Sequence, residues 1–189
     1  VEAINEAIHE EMSNDETVYY MGEDVRASIY GASKDLFNRF GENRVLDTPL
    51  SENGFIGAAV GSSLVGMRPV VETLTSFMWV AMDQLVSQLA KMKYMFGGKA
   101  KLPLTITTTG GAGLGAAAQH SQSLEAWLIH VPGLKVVYPS NPYDLKGLLV
   151  SSVRDDNPTI FTLHKAMLGS KGHVPEGLYE IPLGEANIC

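Results

Sequence analysis

Asp47-Thr48-Pro49-Leu50-Ser51-Glu52, followed by Gly54-Phe55-Ile56-Gly57, is the stretch on which the reading of this chain turns. Arg44-Val45-Leu46 before it reads as a strand, and the glycine-rich apolar stretch after Glu52 reads as a helix. In an open α/β sheet, the junction between a strand and the next helix is where ligands bind. A carboxylate held there in apolar surroundings accepts a hydrogen bond with added strength, because low dielectric reinforces it. The plainer alternative is that Glu52 only favours a helix N-terminus, a contribution of about 0.3–1 kcal/mol.

Upstream, Ile4, Ile8 and Met12 recur every four residues and predict a helix over residues 1–13, with Glu10 and Glu11 outside the apolar stripe. Thr17-Val18-Tyr19-Tyr20-Met21 reads as a buried strand ending at Gly22-Glu23-Asp24, and Lys34 to Phe40 as a short helix stopped by Gly41. Downstream come a strand at Pro69 to Thr73 and a long helix from Trp79 to Phe96. Leu85, Leu89, Met92 and Phe96 should form the core face of that helix, and Gly97-Gly98 should end it. The rhythm continues with a strand at Leu102 to Thr107, a glycine loop, a helix at Leu124 to His130 and a strand at Leu134 to Tyr138. A helix then runs from Pro142 to Arg154, capped by Asn141, and a strand from Thr159 to Leu163.

Strands alternating with helices at this spacing predict an α/β domain: a mostly parallel sheet flanked by helices on both faces. That domain should span 1–168, with 169–189 the Gly- and Pro-rich start of a linker to a further domain. Gly57, Gly61 and Gly66 each cost a helix interior about 1 kcal/mol relative to alanine. Their presence suggests a close approach to a neighbouring element, a ligand or a second subunit.

The chain has 189 residues, 45% of them hydrophobic, which is ordinary globular composition. A net charge of −7 argues against a nucleic-acid partner, whose phosphates it would repel. No apolar run approaches the roughly 18 residues of a membrane-spanning helix, so no membrane partner is expected. The single cysteine, Cys189, and the lack of a secretory signal suit a reducing, cytoplasmic setting. Beginning at Val1 without Met, the sequence reads as a piece of something longer.

Three other motifs are weak. Gly111-Ala112-Gly113-Leu114-Gly115-Ala116 fits a dinucleotide fingerprint, but the next strand ends in Tyr138-Pro139-Ser140 rather than in an acidic residue. His120-Ser121 are adjacent and lack a G-x-S-x-G elbow, which argues against a hydrolase. The remaining histidines show no metal-ligand spacing.

Five ordered motifs then converge: Met21-Gly22-Glu23-Asp24-Val25, Arg44 through Glu52, Gln119-His120-Ser121-Gln122-Ser123, Pro132 through Val137, and Arg154-Asp155-Asp156-Asn157-Pro158. Across essentially its whole length the chain resembles the beta subunit of the thiamine-diphosphate-dependent first component of 2-oxo acid dehydrogenase complexes, in its transketolase-like, pyrimidine-binding domain. Gly97-Gly98-Lys99-Ala100-Lys101 and Val174 through Gly184 look most like the acetoin dehydrogenase branch.

The resemblance implies specific roles. Glu52 matches the glutamate that hydrogen-bonds the cofactor's aminopyrimidine ring, favouring the imino form of its exocyclic amine so that this amine can take the thiazolium proton. Glu23 matches an acidic position proposed to relay protons between sites. Phe77 would stack on the pyrimidine with Leu74 beside it, and His120 would face the substrate and the incoming lipoyl group. Leu104, Ser152, Asp155 and Asn157 match positions that hold a structural potassium ion, chiefly through backbone carbonyls. Thiamine diphosphate would be shared with an alpha subunit, which supplies magnesium, in an alpha2-beta2 heterotetramer. Beta–beta self-association and docking to a dihydrolipoyl acyltransferase core are also implied. The chain departs from the family at Thr107, where arginine is common, at Leu163 in place of glutamate and at Leu168 in place of tyrosine. Beside acetoin cleavage with acyl transfer to lipoamide stand two alternatives. One is a pyruvate or branched-chain 2-oxo acid enzyme. The other is a non-catalytic assembly domain in which Thr107 and Leu163 mark decay.

Overall fold

The computed structural model describes residues 1–185; Cys189 and the rest of 186–189 lie outside the described residues. The chain runs α1 (Glu2–Asn14), β1 (Val18–Gly22), α2 (Leu36–Phe40), β2 (Val45–Asp47), α3 (Glu52–Leu64) and β3 (Arg68–Leu74). A 3₁₀ turn at Met78–Ala81 and a π-helical stretch at Asp83–Leu89 lead to α4 (Met92–Met95). Then follow β4 (Thr105–Gly110), α5 (Glu125–Ile129), β5 (Lys135–Val137), α6 (Pro142–Arg154) and β6 (Thr159–His164). All six strands pair in parallel, in the order β2-β1-β3-β4-β6-β5. Among the described residues no helix is long and apolar enough to cross a membrane.

Alternating side chains feed a core on each face of the sheet, as a doubly covered parallel sheet requires. Tyr20, Val70, Phe161 and Leu163 meet Ile4, Ile8 and Met12 of α1 and Leu149, Val150 and Val153 of α6. On the other face Met21, Val71, Ile106 and Ile160 meet Phe55, Ile56 and Ala59 of α3, together with Leu85 and Leu89. The Asn141 side chain caps α6 by accepting from the Asp144 amide at 2.8 Å, with Pro142 as the first helical residue.

Several expectations are corrected. The helix expected over Trp79 to Phe96 is broken into three pieces. Its π-helical middle closes i→i+5 bonds and slips the phase of every later side chain. Leu85 and Leu89 therefore stay buried while Phe96 ends 54% exposed. Where the helix widens, it passes α3 at Gly57, whose missing Cβ would lie 3.2 Å from Gln84 Oε1. Gly61 faces open space, and Gly66 lies beyond the end of α3 at φ +96°. The strand expected at Leu102 to Thr107 is β4, three residues later: Pro103 has no N–H to give a ladder, so pairing starts at Thr105. Glu11, expected outside the apolar stripe, is 4% exposed, because Arg154 of α6 reaches it at 2.7 Å.

Residues 178–183, within the stretch expected to begin a linker, lie on α6. The Ile181 amide donates to Gly147 O at 3.3 Å, and Ser151 Oγ donates to Ile181 O at 2.7 Å. Gly147 makes this approach possible, since a Cβ there would come 2.6 Å from Ile181 Cγ1. Tyr179 stacks on Tyr143 at 4.9 Å and donates its hydroxyl to Tyr143 O at 2.7 Å. Burial first, then nearby anionic groups, push the Tyr179 hydroxyl up to about 12. Beneath lies Lys146, fully buried, its ammonium 3.1 Å from Glu6, 3.5 Å from Glu10 and 5.9 Å from the Tyr179 ring. Two carboxylates and an aromatic face compensate a cation whose burial would otherwise be costly.

A second buried polar pair sits inside the sheet layer. The Tyr20 hydroxyl donates to the Glu72 carboxylate, with Tyr20 fully buried and Glu72 8% exposed. Burial holds the Glu72 carboxyl above its usual 4.5, while the Tyr20 hydroxyl pulls it back down.

Two measurements check these features. Tyr179→Ala should raise the acetylation rate of Lys146 about tenfold or more by local unmasking, with Lys99 as the exposed reference in mass spectrometry; equal labelling of both lysines in the unaltered chain would refute the seal. For Glu72, a raised native pKa means the folded state holds its proton more tightly than the unfolded chain. Stability from this group is therefore full below pH 4.5 and is lost as pH rises through the native value. Urea unfolding between pH 5 and 7 should show a smaller decline for Glu72→Gln than for the unaltered chain.

Candidate functional site at the carboxyl edge

Because all strands point one way, their exits lie along one edge of the sheet. β1 ends at Gly22, and Glu23 follows it. β2 ends at Asp47, and the Thr48 amide donates to Gly22 O at 2.9 Å, tying the two exits together. Four residues later Glu52 opens α3, whose first turn is secured by the Phe55 amide donating to Ser51 O at 3.0 Å. The chain turns to β2 on one side of β1 and to β3 on the other, so Glu23 and Glu52 stand at a topological switch point.

Glu23 feels the charge of Glu52. Burial raises the Glu23 carboxyl above its usual value, and the charges of Glu52 and Asp24 raise it further. Among the described residues Glu23 Oε1 is buried without a hydrogen-bond partner, whereas Glu52 is partly exposed. Asp24 beside it adopts φ 54°, a left-handed conformation tolerated by Asp more readily than by most residues.

β3 ends at Leu74, and the Phe77 amide donates back to Leu74 O at 3.0 Å, turning the Phe77 side chain across the edge. There it meets His120, which arrives on the loop after β4; the ring centroids are 5.1 Å apart at 79°, edge to face. That loop is closed at its base, where the Gly111 amide donates to Gln122 O at 2.9 Å. Glu23, Glu52, Leu74, Phe77 and His120 are thus all set at strand exits or helix entries of one edge. This arrangement offers a hydrogen-bond acceptor at a helix head, a second carboxyl poised to hold a proton, an aromatic face and an imidazole.

The other expected group does not join them. Leu104 precedes β4, Ser152 lies in the last turn of α6, and Asp155 and Asn157 lie between α6 and β6, at the amino edge of the sheet. The polar side chains among them, and the carbonyls of Leu104 and Asp155, already have partners. Lys135 pairs with the Asp155 carboxylate, and the Lys93 ammonium donates to Asn157 Oδ1. Leu104 O accepts from the Thr159 amide at 2.9 Å, and Ser152 Oγ donates to Leu148 O at 2.7 Å. Arg68 donates to the carbonyls of Val153, Arg154 and Asp155 at 3.1–3.3 Å. Among the described residues no cluster of three His, Cys, Asp or Glu side chains suits a metal ion.

Thr107, Leu163 and Leu168 come together around one small interior space with Glu72. Thr107 is 3% exposed and donates its hydroxyl to Val71 O at 3.1 Å, so it is satisfied inside the sheet layer rather than missing from the edge. The glycine run 111–116 forms a loop with left-handed Gly111, Gly113 and Gly115 and leads into a 3₁₀ turn at Gln119–Ser121, not into the helix a dinucleotide fingerprint needs.

Sequence reasoning passed over Lys165, whose ammonium donates to His120 O at 2.5 Å. Its signal was positional: it is the first residue past β6, on the same edge as the rest.

Comparison with known proteins agrees with this geometry. A family model, "Transketolase, pyrimidine binding domain", matches residues 1–171. The chain is 50% identical over 199 residues to the acetoin:2,6-dichlorophenolindophenol oxidoreductase subunit beta of Cupriavidus necator, covering 98% of this chain and 59% of that protein. It is 46% identical over 202 residues to the same-named subunit of Bacillus subtilis, covering 99% and 59%. With the pyruvate dehydrogenase E1 component subunit beta of Rickettsia felis it shares 45% identity over 190 residues, covering 99% and 58%. The chain therefore spans about three-fifths of the length of these relatives. Among solved structures, a "Split gene transketolase, inactive beta4 tetramer" superposes with a TM-score of 0.69 at 20% identity, over 87% of this chain and 50% of that one, a likeness of fold. With a parallel sheet, a carboxylate-bearing helix head at its switch point and a family match over 171 of its residues, the chain belongs to the transketolase pyrimidine-binding domain family.

Proposed function

We propose that this chain is the pyrimidine-binding part of the beta subunit of a thiamine-diphosphate-dependent dehydrogenase component. Acetoin is the first-choice substrate, and pyruvate or a branched-chain 2-oxo acid the second. The observation that carries the reading is the placement of Glu52 at the head of α3, beside Glu23 and on the edge shared by Phe77 and His120. The names of the relatives at 45–50% identity support it. Grouping of Thr107, Leu163 and Leu168 beneath the sheet favours catalysis over decay, since the edge itself keeps every expected residue.

On this reading each side chain has one task. Glu52 accepts a hydrogen bond from the aminopyrimidine, and the anion it presents favours the proton on that ring nitrogen. Glu23, whose raised affinity for protons comes from burial and from Glu52, holds or passes a proton at the same edge. Phe77 offers a face for the ring, with Leu74 beside it, and lies nearly perpendicular to the ring of His120, which meets the substrate. When bound, thiamine diphosphate supplies a carbon nucleophile that the polypeptide lacks. Its diphosphate and magnesium fall to an alpha chain, and acyl transfer goes to lipoamide on a dihydrolipoyl acyltransferase core. Exposed Val80, Trp127 and Ile129, at 60–68%, offer apolar surface for subunit contacts, including beta–beta contacts of an alpha2-beta2 assembly. A potassium ion at Leu104, Ser152, Asp155 and Asn157 would have to use backbone carbonyls, because Lys135 and Lys93 already hold the side chains of Asp155 and Asn157.

The test is Glu52→Gln in the full-length subunit assembled with its alpha chain. Turnover should fall about 10²-fold or more, with slowed proton exchange at the thiazolium carbon. Stability should change by no more than about 1 kcal/mol, the usual worth of an acidic residue at a helix N-terminus. Unchanged turnover and exchange would overturn the assignment. The same substitution removes a like charge beside Glu23, so Glu23 should titrate at lower pH while staying above its usual value, because burial is the larger cause. Carboxyl carbon-13 NMR of labelled glutamate reads both statements.

A further inference from the structure

The loop that carries His120 does little to hold itself. Between Gly111 and Gln122 it contains three left-handed glycines and a left-handed Ala117 at φ 59°, and its ordered element is a three-residue 3₁₀ turn. Its internal support is thin. The base is closed by the Gly111 amide on Gln122 O at 2.9 Å, and Gln122 Nε2 donates to Gln119 O at 3.2 Å. Yet the His120 ring is set edge to face against Phe77.

The missing support comes from the exit of β6, through two successive residues. The His164 ring lies against the start of the loop: a Cβ on Gly111 would come 2.6 Å from its Cδ2. That ring is fixed in turn by the Ala166 amide, which donates to His164 Nδ1 at 3.3 Å. Lys165 holds the far end, its ammonium donating to His120 O at 2.5 Å across 45 residues of sequence. None of the ion pairs among the described residues involves Lys165. Its charge is directed at that carbonyl, and a charge-assisted hydrogen bond is about twice as strong as a neutral one. We infer that Lys165 is a positioning residue: by gripping the His120 backbone from β6 it sets the imidazole against Phe77 at the carboxyl edge. This inference rests on the reading of His120 as the group that meets substrate.

The consequence is specific. Loss of the ammonium leaves the β6 strand and both cores intact but frees the His120 end of the loop. Misplacement of a reacting group by about 1 Å can cost on the order of 10²-fold in rate. In the full-length subunit assembled with its alpha chain, Lys165→Met should lower kcat about 10²-fold, leave KM within about threefold and preserve the melting temperature. Lys165→Arg, which keeps a charged donor, should recover most of the rate. His120→Gln should lower the same kcat, and the double variant Lys165→Met/His120→Gln should fall no further than His120→Gln alone, because both act through one group.

Hydrogen exchange over residues 118–122 supplies the independent readout. Exchange should quicken in Lys165→Met and not in Lys165→Arg. Multiplied losses in the double variant, or unchanged exchange in Lys165→Met, would overturn the positioning role. If His120→Gln leaves turnover untouched, the catalytic reading of His120 is what falls, and the exchange measurement still decides whether Lys165 holds the loop.

Discussion

Parallel strand direction is the constraint from which the rest follows. A parallel ladder forces each strand to be followed by a return over the face of the sheet, so all six exits fall on one edge and all six entrances on the other. Residues far apart in sequence, such as Glu23, Glu52, Phe77, His120 and Lys165, become neighbours along that edge without any of them contributing to the ladder. The strands beneath are packed largely by apolar side chains, with Tyr20–Glu72 as a hydrogen-bonded polar pair among them, and the edge is free to carry further polar groups. The opposite edge takes the contrary role. There the carbonyls at the end of α6 are gathered by Arg68, and those at the end of α1 by Arg44, which donates to Met12 O at 2.9 Å and Asp15 O at 3.0 Å. Cations at helix C-termini are favourable on dipole grounds, so the amino edge is fixed in place while the carboxyl edge stays accessible.

Electrostatics separates the structural acids from those fit for chemistry. Glu72 and Glu23 are both raised by burial, but their settings differ. Glu72 is sealed inside the sheet layer, hydrogen-bonded by Tyr20 and bordered by Thr107, Leu163 and Leu168. No substrate reaches it there, and its perturbation is a statement about stability. Glu23 is raised at a strand exit, with one oxygen unpartnered and a second carboxylate near it. A perturbed group in an accessible place, beside a second carboxylate, is the pattern that acid–base sites share. Of the two, Glu23 is the one that stands partly exposed at the carboxyl edge.

How much of this was legible in the sequence follows from which signals are local. Strand and helix order was legible because periods of two and of about four residues survive in short windows, as Ile4, Ile8 and Met12 illustrate. The break at Asp83–Leu89 was not, because a π-helical turn has no compositional mark; its evidence is the approach of Gln84 to Gly57 from another element. Glu11 looked like a solvated residue because its partner, Arg154, is 143 positions away. The site was partly legible. Glu52 stood out by lying between a strand and a glycine-rich helix, whereas Glu23 was singled out only through the family resemblance. Lys165 had no comparable motif around it, and its meaning exists only once β6 stands beside β4. The same holds for Thr107, Leu163 and Leu168: read singly they are three departures, and only folding shows that they border one space.

That clustering bears on what kind of protein this is. A charged side chain lost singly from a buried position leaves its former partner uncompensated, at a cost of several kcal/mol. Here the three positions that depart from the resemblance, Thr107, Leu163 and Leu168, border one space beside Glu72, whose carboxyl is held above its usual value by burial and drawn back down by Tyr20. Decay by accumulated damage has no reason to choose three positions that line one space and to spare Glu52, Glu23, Phe77 and His120. A concerted repacking beneath an intact edge does, since the sheet must remain dry and unstrained for that edge to hold its geometry. On the function proposed above, the chain supplies one half of a binding site. A half-site of this kind gives direction and a proton preference to one end of a ligand, while affinity for a doubly charged tail must come from groups facing it across the edge.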